Sequence, residues 1–291
     1  MLIAFTRFRA NKMLSAAPTR NLVAAGSKFL NVYETGAGLK TLVFLAGGGT
    51  PMPVYDFKPL YDKLSDKYHI VVVEKSGYGF SDHSHDSRDL NQILFETRSA
   101  LKAAKIKGPY FLMPHSMSGI EALYWAQLYP DEVAGIIGLD MASPEAYEKL
   151  KLPSQHLIKM LAFLRKIGLA PLIAGRAPAM ASGNLSKEDR KLFRALFDRN
   201  WMSTDVRNEI KTVKNNAEIV AANPLPQVPL LLLVSNGQGT GFTARSWLKL
   251  QQNLQSKRII QFDAPHYLYH YETAAIAQEI DNFLSSVGKE S

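Results

Sequence analysis

PYFLMPHSMSGIEALYWAQLYP, residues 109–130, passes from an apolar, strand-like run through a tight bend into a helical pattern, with Ser116 at the bend. Tyr110–Met113 suits a buried strand, and Ile120–Tyr129 repeats its apolar residues at helical spacing. A sharp turn at such a place pushes the serine Oγ into a cleft. It also aims the next amide, that of Met117, at any oxyanion formed there, reinforced by the helix N-terminus. The signature of such a turn is G-x-S-x-G; here Pro114 and Ser118 stand at the glycine positions. Ser118 and Gly119 are small enough for the crowded helix side. Pro114 has no N–H, so it fits only at the very end of a strand, and it biases Met113 towards an extended backbone. A serine at a helix start is far more often an N-cap than a nucleophile. The turn alone does not decide the function.

Outward from this stretch, short apolar runs recur at Lys28–Glu34, Thr41–Leu45, Ile70–Val73, Val133–Leu139, Pro229–Val234 and Arg258–Phe262. They are continuous rather than alternating, as expected of strands covered on both faces of a parallel sheet. Helical patterns lie between them at Tyr55–Lys67, Asn91–Lys105 (after the N-cap type Asp89) and Thr273–Val287. This alternation predicts an α/β fold with a mostly parallel central sheet flanked by helices. Residues 144–226 break the rhythm with helical patterns and no convincing strand, which predicts an inserted all-helical cap. The expected organisation is a basic N-terminal segment over 1–27, a core over 28–143 and 227–291, and the cap between.

The bulk numbers fit one large domain carrying an insertion: 291 residues, 46% hydrophobic and 21% charged. With no cysteine, disulfides, thiolate metal sites and cysteine nucleophiles are excluded. The net charge of +8 is spread along the chain without a dense basic run or a nucleic-acid motif. The expectation is therefore a cytoplasmic protein with no nucleic-acid partner. The N-terminal segment carries Arg7, Arg9, Lys12, Arg20 and Lys28 with no acid before Glu34. Its apolar runs are too short to span a bilayer, which takes about 20 residues. A helix lying on the body is the favoured reading. Weak peripheral contact with an anionic membrane surface is the alternative.

A serine nucleophile needs a base, a group to orient that base, and an oxyanion hole. DAPHYLYHYE places His266 just after the last strand-like run, on the same sheet edge as Ser116; His270 lies further towards the final helix. FLAGGGTP follows Thr41–Leu45, and its glycines, Gly47 to Gly49, allow a tight turn with bare N–H groups. A dinucleotide-binding G-x-G-x-x-G fails because Met52 stands where the last glycine belongs, and a phosphate P-loop lacks its Gly-Lys-Ser/Thr ending.

FLAGGGTP, VVVEKSGYGFSD, PHSMSGIEALYWAQLYPDEVAGIIGLD and APHYLYHYETAAIAQEIDNFL together resemble the α/β-hydrolase family, in the family's order. The first departs from the usual H-G pattern by carrying Ala46. The second resembles D-x-x-G-x-G-x-S, with Glu74 for the Asp and Gly77, Gly79 and Ser81 in place. The third resembles G-H-S-M-G-G. The resemblance covers the chain after about Phe29. It implies Ser116 as nucleophile, His266 as base, and oxyanion donors on Met117 and Gly48. The family's acid usually follows the penultimate strand, but that loop, VSNGQGTGF, holds no carboxylate. Members with the acid on the earlier strand make Asp140, at the end of VAGIIGLD, the preferred candidate, with Asp263 as the alternative. A further alternative has Asp140 capping the turn after it, with Asn236 orienting the histidine.

Two other clusters carry less. DHSHDS lacks the aspartate and histidine that a metallo-hydrolase His-x-His-x-Asp-His run needs at Ser87 and Arg88, and reads as a solvated loop. Met160, Phe163, Phe193, Phe197, Trp201 and Met202 read mainly as the cap's own core. The expected function is a cofactor-independent serine hydrolase acting on a small acyl substrate, an ester first, and a basic cap favours an anionic end on it. A proline-releasing aminopeptidase, a carbon–carbon hydrolase, or a hydrolase-fold binding protein with little turnover are the alternatives.

Overall fold

A computed structural model describes residues 12–148, 150–238, 247 and 257–287. Most of the basic N-terminal run, with Arg7 and Arg9, lies outside the described residues, as do residues 239–246 and 248–256.

Eight strands form one sheet in the order β1-β2-β4-β3-β5-β6-β7-β8. They are β1 (Leu22–Ala25), β2 (Lys28–Thr35), β3 (Thr41–Leu45), β4 (His69–Glu74), β5 (Tyr110–Pro114), β6 (Val133–Leu139), β7 (Leu230–Val234) and β8 (Lys257–Gln261). β1 and β2 pair antiparallel and β2 meets β4 antiparallel; every other pairing is parallel. Every residue of β3, β5 and β7 is buried, which accounts for their uninterrupted apolar sequences. β1 corrects the expected boundary at residue 27. Leu22–Ala25 joins the core sheet as an edge strand, turning into β2 through Gly26 with its positive φ.

The helix expected over Tyr55–Lys67 is two short ones, α1 (Pro53–Asp56) and α2 (Lys58–Leu64). Each starts with a proline in its first turn, where the missing N–H has no helical partner to lose. α3 (Leu90–Ala103) opens on Asp89, whose side chain accepts from the Gln92 amide at 2.9 Å. α4 (Ser118–Leu128) follows the Ser116 turn.

Between β6 and β7 run α5 (Gln155–Lys166), α6 (Ala170–Ala174), α7 (Pro178–Ala181), α8 (Lys187–Asn200) and α9 (Thr204–Ala221), with no strand among the described residues of 144–226. Ser154, Ser186 and Ser203 cap α5, α8 and α9 through the amides of Leu157, Asp189 and Val206. The insertion is fastened to the loops leaving β3 and β4. Asn200 Nδ2 donates to the carbonyls of Pro51 (2.9 Å) and Gly79 (2.8 Å), and Arg199 donates to those of Gly79 and Ser81. Phe193 and Phe197 share a buried cluster with Met52 and Phe80 of those loops and with Tyr55 of α1. The insertion therefore stands at the C-terminal edge of the parallel strands. α10 (Thr273–Ser286) is the last described helix and buries Ile276, Ile280 and Leu284 in a cluster with Leu42, Phe44 and Leu231 of the sheet.

Candidate active site

Pro114 is the last residue of β5, paired with Leu45. The ladder to β3 runs on past it, the His115 amide donating to Leu45 O at 3.0 Å, while the nitrogen of Pro114 faces β6, whose regular ladder with β5 stops at Leu112 and Ile136. Ser116 then adopts a positive φ of 54°. Its carbonyl accepts from the amides of Gly119 (3.0 Å) and Ala142 (2.8 Å), which locks the bend between α4 and the loop after β6. Ser118 fits where the family pattern has glycine because its buried hydroxyl turns inward, 2.7 Å from Leu45 O and 2.9 Å from His115 O. The hydroxyl thus ties the elbow to the end of β3.

β6 pairs with β5 in parallel, and an isolated bridge joins His115 to Leu139. The first residue beyond β6 is Asp140, fully buried and also at positive φ, 46°. Its Oδ1 accepts from the Ser235 amide at 2.9 Å, and its Oδ2 lies 2.6 Å from His266 Nδ1. His266 comes from the loop after β8. Its Nε2 lies 2.9 Å from Ser116 Oγ, closing a line Ser116–His266–Asp140. The carboxylate fixes the ring's orientation and tautomer, leaving Nε2 to accept from the hydroxyl. Asp263 is not brought to His266. It is exposed, and its carboxylate accepts from Asn236 Nδ2 at 2.9 Å. Asn236 is thereby engaged with Asp263. His270 is buried 3.3 Å from Asp56, which also accepts from the Tyr269 hydroxyl.

His115, between Pro114 and Ser116, is fully buried with its ring 4.6 Å from that of His266. Neither of its nitrogens has a partner among the described residues. Burial and the nearby imidazoles of His266 and His270 hold its pKa well below the usual histidine value. It packs as a neutral ring behind His266. Gly47 is required by the same crowding, since a Cβ there would lie 2.9 Å from both His115 Nδ1 and Ser116 Cβ.

The amides of Gly48 and Met117 donate to no protein group among the described residues, while the turn that follows Gly48 is held at Gly49, whose N–H donates to Tyr78 Oη at 2.9 Å. Tyr78 in turn donates to Glu209, on α9. Glu209 also accepts from Lys75, which bonds Glu121 of α4 at 2.6 Å. All four side chains are buried. Burial opposes the charge on Lys75, but Glu121 and Glu209 hold its ammonium above the usual value. Burial lifts the Glu121 carboxyl, with Glu209 adding to the effect. Nothing in the sequence signals this group, because Lys75 and Glu209 are 134 residues apart and on different layers. Glu74, in the family's Asp position, accepts from Asn31 Nδ2 and the amides of Val54 and Phe80. Burial raises its carboxyl to about 7. Gly79 is needed there, as a Cβ would fall 1.8 Å from Glu74 Oε2.

Residues 40–273 match the family described as alpha/beta hydrolase fold. The chain belongs to the alpha/beta hydrolase family. The uncharacterized Bacillus subtilis protein YbdG is 35% identical over 239 residues, which cover 79% of this chain and 73% of its own. Among solved members of this fold, an epoxide hydrolase from Bacillus megaterium superposes with a TM-score of 0.72 at 16% identity, covering 91% of this chain and all of that one. A thermophilic esterase from Thermogutta terrifontis superposes with a TM-score of 0.69 at 18% identity, covering 92% and 98%. At these identities the two structures speak for the fold alone.

Two further expectations meet the structure differently. DHSHDS is not simply a solvated loop: His83, the Ser84 amide and hydroxyl, and the His85 amide all donate to the buried Asp205 of α9. Of the aromatic and methionine residues expected in the insertion's core, Phe193, Phe197 and Met202 are buried and Trp201 half-buried, but Met160 and Phe163 are exposed. No helix among the described residues is long and apolar enough to cross a membrane.

Proposed function

We propose that this chain is a serine hydrolase that cleaves a small acyl substrate, a carboxylic ester first, through an acyl-enzyme. The observation that carries the reading is the hydrogen-bonded line from Ser116 Oγ through His266 to Asp140. Ser116 Oγ attacks the acyl carbon while its proton passes to His266 Nε2. The carbonyl oxygen becomes an oxyanion between the amides of Met117 and Gly48, at the N-terminus of α4. Collapse expels the alcohol with the proton from His266. A water molecule, deprotonated by the same nitrogen, then attacks the acyl-serine and releases the acid. Asp140 stays ionised throughout and stabilises the imidazolium.

An ester is favoured because the departing alcohol needs nothing beyond that proton. Ring opening of an epoxide through an alkyl-enzyme calls for a carboxylate nucleophile, and the elbow carries Ser116. The helical insertion, fastened over the same sheet edge by Asn200 and Arg199, is assigned the role of a cap on the cleft.

Fluorophosphonate labelling tests the reading. The wild type is expected to label and the Ser116→Ala variant not to. An inert wild type would sink it and favour a ligand-binding role for the cleft.

A further inference from the structure

A helix on a globular surface normally turns its apolar stripe inward. α5 buries only Ile158. Leu157, Met160 and Phe163 are exposed, Phe163 at 59%, and so is Ile167 at the helix end. At 3.6 residues per turn these four fall within about a third of the helix circumference. The chain then reverses at Gly168, where φ is 78°, and the Leu169 amide returns to Leu164 O at 3.0 Å. Leu169 is exposed as well, and Leu172 on α6 is 78% exposed, while Ala170 and Ala174 of the same helix bury against α8. Large apolar side chains left exposed along two successive helices mark an interaction site.

Charge selects the occupant. From Glu148 to Glu188 the sequence holds no acid, but Lys149, Lys151, Lys159, Arg165, Lys166, Arg176 and Lys187. Lys151, Lys159, Lys166 and Arg176 are exposed, and Lys159 and Lys166 border the apolar stripe on its own helix. A second copy docked about a two-fold axis would set these cations against themselves. A surface of lipid anions pairs with them while taking up the apolar side chains. We propose that the α5–α6 face of the insertion docks on an anionic membrane surface. The proposal stands independently of the role given to Ser116.

Sedimentation of the full chain with phosphatidylcholine vesicles, with and without phosphatidylglycerol, tests it. The wild type is expected to sediment with the mixed vesicles and to be released by salt. Phe163→Ser combined with Leu172→Ser should lower the partition coefficient by about tenfold or more. Lys159→Glu combined with Lys166→Glu should abolish the preference for phosphatidylglycerol. Far- and near-ultraviolet circular dichroism of each variant checks the fold. Phe163→Trp, which keeps the apolar surface, should add a component to the emission that shifts blue on mixed vesicles. A wild type left in the supernatant, or an added indole emission that does not shift, would overturn the proposal. So would folded variants that sediment like the wild type, which would point to the N-terminal segment instead. A dimer that Phe163→Ser dissociates, without vesicle binding by the wild type, would overturn it in favour of self-association.

Discussion

Ser116 and Asp140 hold equivalent places on neighbouring strands: each comes one residue after a member of the His115–Leu139 bridge, and each has a positive φ, 54° and 46°. For a residue with a Cβ that conformation costs on the order of 1–3 kcal/mol. Parallel pairing of β5 and β6 delivers both residues to one edge, and the bend at each turns the side chain out of the sheet towards His266. Strain at two adjacent sites is offset by the bonds around them, from Gly119 and Ala142 to Ser116 O and from Ser235 to Asp140 Oδ1.

That strain is measurable at Ser116. Glycine relieves the steric conflict and alanine retains it. Ser116→Gly is therefore expected to be more stable than Ser116→Ala by up to about 1 kcal/mol in urea unfolding. Both should be unlabelled by fluorophosphonate. Equal unfolding midpoints for the two variants would show that the bend stores no strain.

The acid can be assigned by paired substitutions. Asp140→Asn keeps the shape of the site but leaves His266 without its anionic partner, so kcat on a short-chain aryl ester should fall by up to about ten-thousandfold. Asp263→Asn removes only an exposed hydrogen bond to Asn236 and should stay near wild type. The reverse ranking would move the acid to Asp263.

Tyr78 links the glycine turn to the insertion. Tyr78→Phe leaves the Gly49 amide without its acceptor and takes one donor from the buried Glu209. A buried group left unsatisfied costs about 1–3 kcal/mol of stability. Loosening of the adjacent Gly48 amide should lower kcat by about tenfold or more with KM little changed. A variant that loses stability but keeps kcat would show that the contact is only structural.

The fold was legible because its strands are buried on both faces, and continuous apolar runs mark such strands with little ambiguity. β1 escaped because an edge strand of four residues, half of it only partly buried, has neither period nor composition to mark it. Of the site, Ser116 and His266 could be placed from their positions after strands. Asp140 needed the resemblance, since nothing local distinguishes a carboxylate facing the cleft from one capping a turn. The Lys75–Glu121–Glu209–Tyr78 group and the seat of Asp205 were invisible, because each depends on contacts between the insertion and the core that only the folded chain brings together. Phe163 and Met160 misled in the opposite sense, since helical spacing reveals a stripe but not which side the body lies on.

Asp205 anchors α9 to the DHSHDS loop and gives that junction a pH dependence. Burial alone would raise its pKa, but the donors from His83, the His85 amide and Ser84 outweigh it and hold the carboxyl well below the usual value of 3.8. A depressed folded-state pKa means that the unfolded chain takes up the proton first as the pH falls. The stabilisation is thus fully present above the unfolded value and disappears as the pH drops towards the folded one. Asp205→Asn should cost about 1.5–3 kcal/mol near neutrality, the scale of hydrogen bonds to a charged group. The gap to wild type should narrow steadily once the pH passes below about 4. Urea unfolding of both proteins from neutral to acid pH would show this as converging midpoints. A constant gap across that range would mean that the carboxylate's charge contributes nothing and that Asp205 serves only by its shape.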